Sequence, residues 1–220
     1  MTLNMQYFET LRDKINHRLQ DLVKKGKFDK QTAKRQMEDF PWLYGALGKV
    51  PSDVMFICEN PSFAGIEKAH VDTIDRGRPD IEAQWWGGST DNAACRFRVA
   101  LYRLGLKTTR PRERDGWECY ITNVIKQANV AKDQEELSSA DKRQQARDWA
   151  DILQWELDEV KPKYVFCVGS NTYTYVQMLQ REGWIKRFPV HKVMHYSARG
   201  STSKIIDAIV SGVRDVMAKN

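Results

Sequence analysis

Four short apolar segments, each about as long as one β-strand, constrain the fold more than any other feature of this sequence. They cover residues 53–58, 119–125, 164–168 and 190–195, and most are rich in β-branched or aromatic residues. The first three are apolar at nearly every position, which is typical of strands that are covered on both faces. Such segments favour a parallel sheet with helices above and below it.

Helical patterns separate the apolar segments. Apolar residues recur at three- and four-residue steps across residues 93–104 and 139–160, and two further helices are predicted over about 170–181 and from about 202 onward. The alternation predicts an α/β three-layer sandwich with a central four-stranded, mostly parallel sheet. In such a fold the ligand site lies at the carboxyl ends of the strands.

Residues 1–50 differ from the rest because they are helical in pattern and rich in charge. The sequence therefore predicts a helical N-terminal extension over residues 1–50 and an α/β domain over residues 51–220. One interpretation of the extension is a solvated helical hairpin packed on the domain, and the other is an arm that contacts phosphate groups or an unidentified partner protein. The apolar residues available for packing are Tyr7, Phe8, Leu11, Ile15 and Leu19.

Charge and cysteine content narrow the class of protein. Lys and Arg number 35 against 29 Asp and Glu, a formal charge of +6, which fits a polyanionic partner without requiring one. No apolar stretch reaches the roughly 20 residues of a spanning helix, so we expect a cytoplasmic protein without membrane contact. The four cysteines lack the short spacings of zinc or iron–sulfur sites, so we expect buried thiols and neither metal nor cofactor.

Polar residues follow the first apolar segment where it ends. Glu59 and Asn60 come directly after it, and Pro61 fixes a turn. The segment could be a plain loop, but an open α/β sheet carries its ligand chemistry at this place. Glu59 and Asn60 are therefore candidate functional residues.

The second apolar segment contains an amide, Asn123. Burying an unsatisfied amide costs about 1–3 kcal/mol, so its side chain needs a partner, either a backbone group in a neighbouring loop or a ligand. A carboxamide offers a donor and an acceptor in one plane, which suits the edge of a pyrimidine.

The fourth segment ends in His195, just before a run of small polar residues. A single histidine is more often structural than catalytic, but the following residues favour a ligand. Ser197, Gly200 and Ser201 offer hydroxyls and backbone N–H groups that suit a phosphate at the start of the last helix. Arg199 adds a fixed positive charge.

These strand ends resemble the uracil-DNA glycosylase superfamily, and the resemblance covers about residues 53–218. Residues 58–62, Cys-Glu-Asn-Pro-Ser, are similar to both first-motif forms of that family, and Ile-Thr-Asn-Val-Ile at 121–125 is similar to its T-N-V strand. Residues 195–197, His-Tyr-Ser, correspond to its H-P-S motif. Residues 96–106 are similar to the first-motif helix of mismatch-specific members.

The sequence departs from the family pattern at three positions. Cys58 and Ser62 stand where the pattern has glycine, and Tyr196 stands where it has proline. The four clustered cysteines of the iron–sulfur branches are absent. The resemblance is therefore to a cluster-free branch, closest to mismatch-specific or single-strand-selective types.

The resemblance implies a DNA glycosylase that hydrolyses the N-glycosidic bond of a flipped-out uracil or modified pyrimidine and leaves an abasic site. It implies that Asn60 positions the attacking water, with Glu59 as an alternative or assisting base. His195 would stabilise charge on O2 of the leaving base, and Asn123 would hold the Watson–Crick edge. Arg199 would be the wedge that fills the vacated space in DNA, or else part of a surface ion pair.

The remaining expected contacts are an aromatic platform for the base and contacts to the DNA backbone. Candidates for the platform are Phe63, Trp85 and Trp86, and candidates for the backbone contacts are Ser62, Ser197, Gly200 and Ser201. Two other functions stay open on the sequence. One is a non-catalytic nucleic-acid- or nucleotide-binding module of the same fold, and the other is an enzyme that acts on a free nucleoside or nucleotide.

Overall fold

A five-stranded sheet forms the centre of the protein, which a computed structural model describes over residues 3–39, 47–61, 93–111, 116–128 and 136–219. The strands pair in the order β1-β3-β2-β4-β5. They are β1 (Leu47–Gly48), β2 (Val54–Cys58), β3 (Tyr120–Asn123), β4 (Tyr164–Val168) and β5 (His191–Val193). Strands β2 to β5 are parallel, and β1 pairs antiparallel with β3. The expected four-stranded parallel sheet is confirmed, with a short edge strand added that the sequence did not indicate.

Helices lie on both faces of the sheet. Those in the described residues are α1 (Leu3–Lys24), α2 (Lys30–Asp39), α3 (Ala93–Arg103), α4 (Ser139–Asp148), α5 (Ala150–Val160), α6 (Ser170–Arg181) and α7 (Thr202–Met217). One face packs against α3 and α7, and the other against α1, α4, α5 and α6. The three-layer α/β architecture is therefore confirmed. None of these helices is long and apolar enough to cross a membrane.

Strand β2 shows why the sheet needs two helical layers. All five of its residues are buried. Met55 and Ile57 belong to the core beside α5 and α6, whereas Phe56 and Cys58 belong to the core beside α3 and α7. This is the burial expected of a strand without a solvent face. The four cysteines are buried free thiols, at Cys58, Cys95, Cys119 and Cys167.

The predicted single helix over residues 139–160 is wrong, because the chain breaks it at Trp149 into α4 and α5. The backbone of Trp149 has φ −113° and ψ 2°, outside the helical range. Its indole is fully buried, and its Nε1 donates to Gln127 Oε1 at 3.1 Å. The periodicity continues across the break because α4 and α5 both present apolar residues to the same core.

Helix α1 packs on the sheet core, as the first interpretation of the extension expects. Four of the five residues available for packing are buried and Phe8 is half-buried. Arg18 pairs with Asp151 at 2.6 Å, and Lys27 pairs with Asp148 at 3.0 Å. These cations therefore face acids of α4 and α5. Helix α1 thus shares the core of the α/β domain. The domain boundary at residue 50 stays a prediction.

Candidate active site

The carboxyl ends of the parallel strands form the edge at which the candidate residues lie. β3 ends at Asn123, Glu59 and Asn60 follow β2, and His195 lies two residues beyond β5. Because β2 and β4 stand between β3 and β5, three strand spacings of about 4.8 Å separate the outer two by about 14 Å. The structure brings these four residues to one edge of the sheet, with Asn123 and His195 at its two ends.

Asn123 is half-buried at the end of β3. Its neighbour Thr122 points toward α5, where its Oγ1 donates to Glu156, so strand alternation puts the Asn123 side chain on the opposite face, the face of Cys58. The Asn123 carboxamide makes no hydrogen bond with any residue in the described ranges. The alternative partner, a backbone group in a neighbouring loop, is therefore not found in that part of the chain.

Glu59 and Asn60 are both half-buried at the end of β2. Asn171 of α6 donates through Nδ2 to Glu59 Oε2 at 3.2 Å. Asn60 Nδ2 donates to the carbonyl of Pro61 at 3.1 Å. Asn171 was not predicted from the sequence. The signal that could have found it is its place just after the glycine turn that follows β4, at the same sheet edge.

His195 is held by its own loop. The backbone N–H of Ser197 donates to His195 Nδ1 at 3.1 Å, and Ser197 Oγ lies 2.6 Å from the same nitrogen. Because Nδ1 accepts a hydrogen bond, the proton of the neutral imidazole is on Nε2, which can donate to a ligand. Burial lowers the pKa of His195 below its ordinary value and so favours the neutral form.

Gly169, in the turn after β4, packs against the imidazole of His195. Its backbone has φ +91°, and a Cβ atom at this position would lie 3.0 Å from His195 Cδ2. The N–H of Gly169 donates to the carbonyl of Val193 at 2.9 Å, which joins this turn to β5. Glycine is therefore required here both by the backbone conformation and by the approach of the ring.

Tyr196 points into the core beside α3 and α7. Its ring lies 4.4 Å from the His195 ring and 5.3 Å from the Phe97 ring. Its hydroxyl faces the thiol of Cys58, and burial raises the pKa values of both groups, that of Cys58 to about 12. Two of the departures from the family pattern thus lie next to each other.

Arg199, Gly200 and Ser201 are exposed just before α7. Ser201 is the N-cap residue of α7, but its side chain makes no capping hydrogen bond. Arg199 forms no ion pair with any residue of the described ranges, so the surface ion pair considered from the sequence has no support there. An exposed cation next to an uncapped helix N-terminus is an arrangement that can bind a phosphate.

Four predicted contact residues, Ser62, Phe63, Trp85 and Trp86, lie outside the described residues. The aromatic platform therefore stays a prediction. Over the part of the chain that the structure describes, no three His, Cys, Asp or Glu side chains are grouped so that they could hold a metal ion.

Behind Asn123 lies a buried ion pair that was not predicted from the sequence. Lys126 and Glu156 are both fully buried, with Nζ and Oε2 2.5 Å apart. Desolvation lowers the pKa of Lys126, and Glu156 opposes that effect. Tyr120 and Thr122 each donate a hydroxyl to Glu156 Oε1 at 2.7 Å. The signal for this pair is that Glu156 occupies an apolar position in the periodic pattern of α5.

Comparison with known proteins gives one family. No curated protein matches the sequence. The sequence model of the Uracil DNA glycosylase superfamily matches residues 46–209, a region that includes every strand of the sheet and all three strand ends described above. We conclude that the chain belongs to the Uracil DNA glycosylase superfamily.

Proposed function

We propose that this protein is a DNA glycosylase that hydrolyses the N-glycosidic bond of a uracil or modified pyrimidine flipped out of DNA. The observation that carries the proposal is the geometry of His195, whose Nδ1 accepts from Ser197 and whose Nε2 is therefore a donor. This donor belongs to the same sheet edge as Asn60 and Asn123. Membership of the superfamily supports the reaction class.

The reaction replaces the bond between C1′ and the base nitrogen with a bond between C1′ and a water oxygen. The departing base takes the electron pair of the broken bond, and the sugar passes through an oxocarbenium-like state. Asn60 positions the water, and Glu59 accepts its proton. The hydrogen bond from Asn171 to Glu59 Oε2 orients that carboxylate and leaves its other oxygen for the water.

On the other side of the scissile bond, His195 Nε2 donates to O2 of the pyrimidine as negative charge develops there. A donor of this kind, already in place, is worth about 10²–10³ in rate. The lowered pKa of His195 keeps the imidazole neutral, so it acts as a hydrogen-bond donor rather than as a full acid. Asn123 binds the Watson–Crick edge of the base with its donor and acceptor.

DNA contacts follow from the loop before α7. Ser197, Gly200 and Ser201 bind phosphate beside the base, and Arg199 enters the space that the flipped base leaves. The formal charge of +6 fits binding that is driven in part by release of counterions, so the affinity should fall steeply as salt rises.

The test is excision from oligonucleotides under single-turnover conditions, followed by alkaline cleavage of abasic sites. Substrates should carry uracil, hypoxanthine or a modified cytosine in single- and double-stranded DNA. We expect the wild-type protein to excise at least one pyrimidine, and His195→Ala to be about 10²–10³ slower. The excision rates of Asn60→Ala and Glu59→Ala show which of the two groups contributes more to activating the water. His17→Ala, which removes an exposed histidine of α1, is the matched control and should retain full activity.

Two results would contradict the proposal. Salt-dependent binding of DNA without excision of any tested base would identify a non-catalytic module of the same fold. Salt-insensitive binding together with hydrolysis of a free nucleoside would identify the other class of enzyme.

A further inference from the structure

The N-terminal helices contact both β3, which ends at Asn123, and the loop that follows it. Gln36 of α2 is buried, with 1% of its surface exposed. Its Nε2 donates to the carbonyl of Lys126 at 2.9 Å, and its Oε1 accepts from the N–H of Ala128 at 3.0 Å. One carboxamide thus binds the backbone at two points just after β3. The two hydrogen bonds fix both the distance of this segment from α2 and its rotation relative to α2.

Helix α1 makes a second contact with the same segment. Tyr7 donates its hydroxyl to the hydroxyl of Tyr120 at 2.7 Å, and Tyr120 donates to Glu156 at 2.7 Å. Burial is the main cause of the raised pKa of Tyr7. Because Tyr120 begins β3 and Asn123 ends it, Tyr7 and Gln36 bind the chain on either side of Asn123.

The Gln36 contacts begin where the sheet stops supplying hydrogen bonds to the chain after β3. The N–H groups of Val124 and Ile125 still donate to Cys58 and Glu59 at the end of β2. From Lys126 to Ala128 the side chain of Gln36 supplies partners instead. The loop that follows Asn123 is therefore held by a helix outside the region that the superfamily model matches.

We propose that α1 and α2 are part of the catalytic unit and that Gln36 and Tyr7 are positioning residues for Asn123. The inference rests on the role proposed above for Asn123 as the group that binds the base edge. If the loop after β3 loosens, Asn123 loses its fixed orientation, and discrimination between bases falls more than folding stability does.

The primary variant is Gln36→Met, which keeps the length of the side chain and removes both hydrogen bonds. The readout is the ratio of single-turnover excision rates for the preferred base and the next-best pyrimidine. A misplacement of about 1 Å can cost up to about 10²-fold in rate, and we expect the ratio to fall about tenfold. Tyr7→Phe removes one hydrogen bond and keeps the ring, so its effect should be in the same direction and smaller.

Leu22→Ala is the control for a purely structural role. Leu22 is buried on α1 in the same core, and its truncation removes packing but no side-chain hydrogen bond. It should lower the melting temperature at least as much as Gln36→Met and leave the excision ratio unchanged. In an Asn123→Ala background Gln36→Met should have no further effect on the ratio, because Gln36 influences base choice only through the position of Asn123.

Hydrogen exchange of the backbone amides of residues 124–128 tests the positioning role without any activity. Faster exchange there in Gln36→Met, but not in Leu22→Ala, is the expected result. If the wild-type protein excises no base, the proposed function fails while the exchange result still tests the role of Gln36. Unchanged exchange and an unchanged excision ratio in Gln36→Met would overturn this inference and leave the proposed function standing.

Discussion

Asn123 and His195 lie at opposite ends of one sheet edge, and different kinds of contact hold them. His195 is fixed by Ser197, two residues away, and by the glycine turn after the adjacent strand. The strand and loop around Asn123 are fixed by Tyr7 and Gln36, 113 residues from Tyr120 and 90 residues from Lys126 respectively. One end of the candidate site is thus built by a local motif, whereas the other depends on the assembly of the whole domain.

The largest effect is expected from removing the buried carboxylate behind Asn123. Glu156→Ala leaves the ammonium group of Lys126 buried without its counter-charge, which should lower the free energy of unfolding by about 3–5 kcal/mol. Urea denaturation monitored by tryptophan fluorescence measures this loss. Glu159→Ala, at an exposed position of the same helix, should change stability by no more than about 0.5 kcal/mol.

A double variant tests what the buried pair of Lys126 and Glu156 contributes. Replacing both partners, as Lys126→Met together with Glu156→Leu, removes both buried charges and should restore part of the lost stability. The recovery is partial because the hydroxyls of Tyr120 and Thr122 still lose the acceptor that Glu156 provides. If Glu156→Ala alone were as stable as the wild-type protein, the buried pair would contribute nothing to the Asn123 end of the site.

At the His195 end, Gly169→Ala should have the next largest effect. The added Cβ would lie 3.0 Å from the imidazole in a backbone of φ +91°, at a cost of about 1–3 kcal/mol of stability. Displacement of the ring should also slow excision by up to about 10²-fold. Gly183→Ala is the matched control, since it has φ +79° with no atom within 4 Å of a new Cβ. Gly183→Ala should lose stability through backbone strain alone and leave excision unchanged. An equal loss of activity in both variants would contradict the contact between Gly169 and His195.

A smaller effect is expected where Tyr196 meets Cys58. Tyr196→Phe removes the hydroxyl and should cost about 1 kcal/mol of stability, the net value of one buried hydrogen bond. Cys58→Ala removes the thiol that this hydroxyl faces. Thermal unfolding of both single variants and of the double variant measures the coupling, which should be non-additive because the two groups share one contact. Strict additivity would show that the two departures from the family pattern are independent.

The difference between the His195 end and the Asn123 end also explains how much of this protein the sequence could predict. The parallel strands and the helices after them were predicted because their apolar periodicity is local. Asn60, Asn123 and His195 were predicted to share one sheet edge because they end or follow those strands. The break at Trp149 was missed, since periodicity continues through it. Gln36 and the pair of Lys126 with Glu156 were missed for a different reason. Their partners are brought together only by tertiary packing. The one local signal, Glu156 at an apolar position of α5, does not identify Lys126 as its partner.

The smallest expected effect is a pH dependence of stability that originates at the His195 end. Burial lowers the pKa of His195 in the folded protein below the ordinary value of 6.5, so the unfolded chain binds a proton first as the pH falls. The stability that the neutral imidazole contributes is complete above about pH 6.5 and decreases as the pH falls toward the folded-state pKa. Wild-type protein should therefore lose more stability between pH 7.5 and pH 5.5 than His195→Gln, as measured by urea denaturation at each pH. Ser197→Ala, which keeps the backbone donor to Nδ1 and removes the hydroxyl, should give an intermediate slope. Equal slopes in all three proteins would mean that burial of His195 does not favour its neutral form.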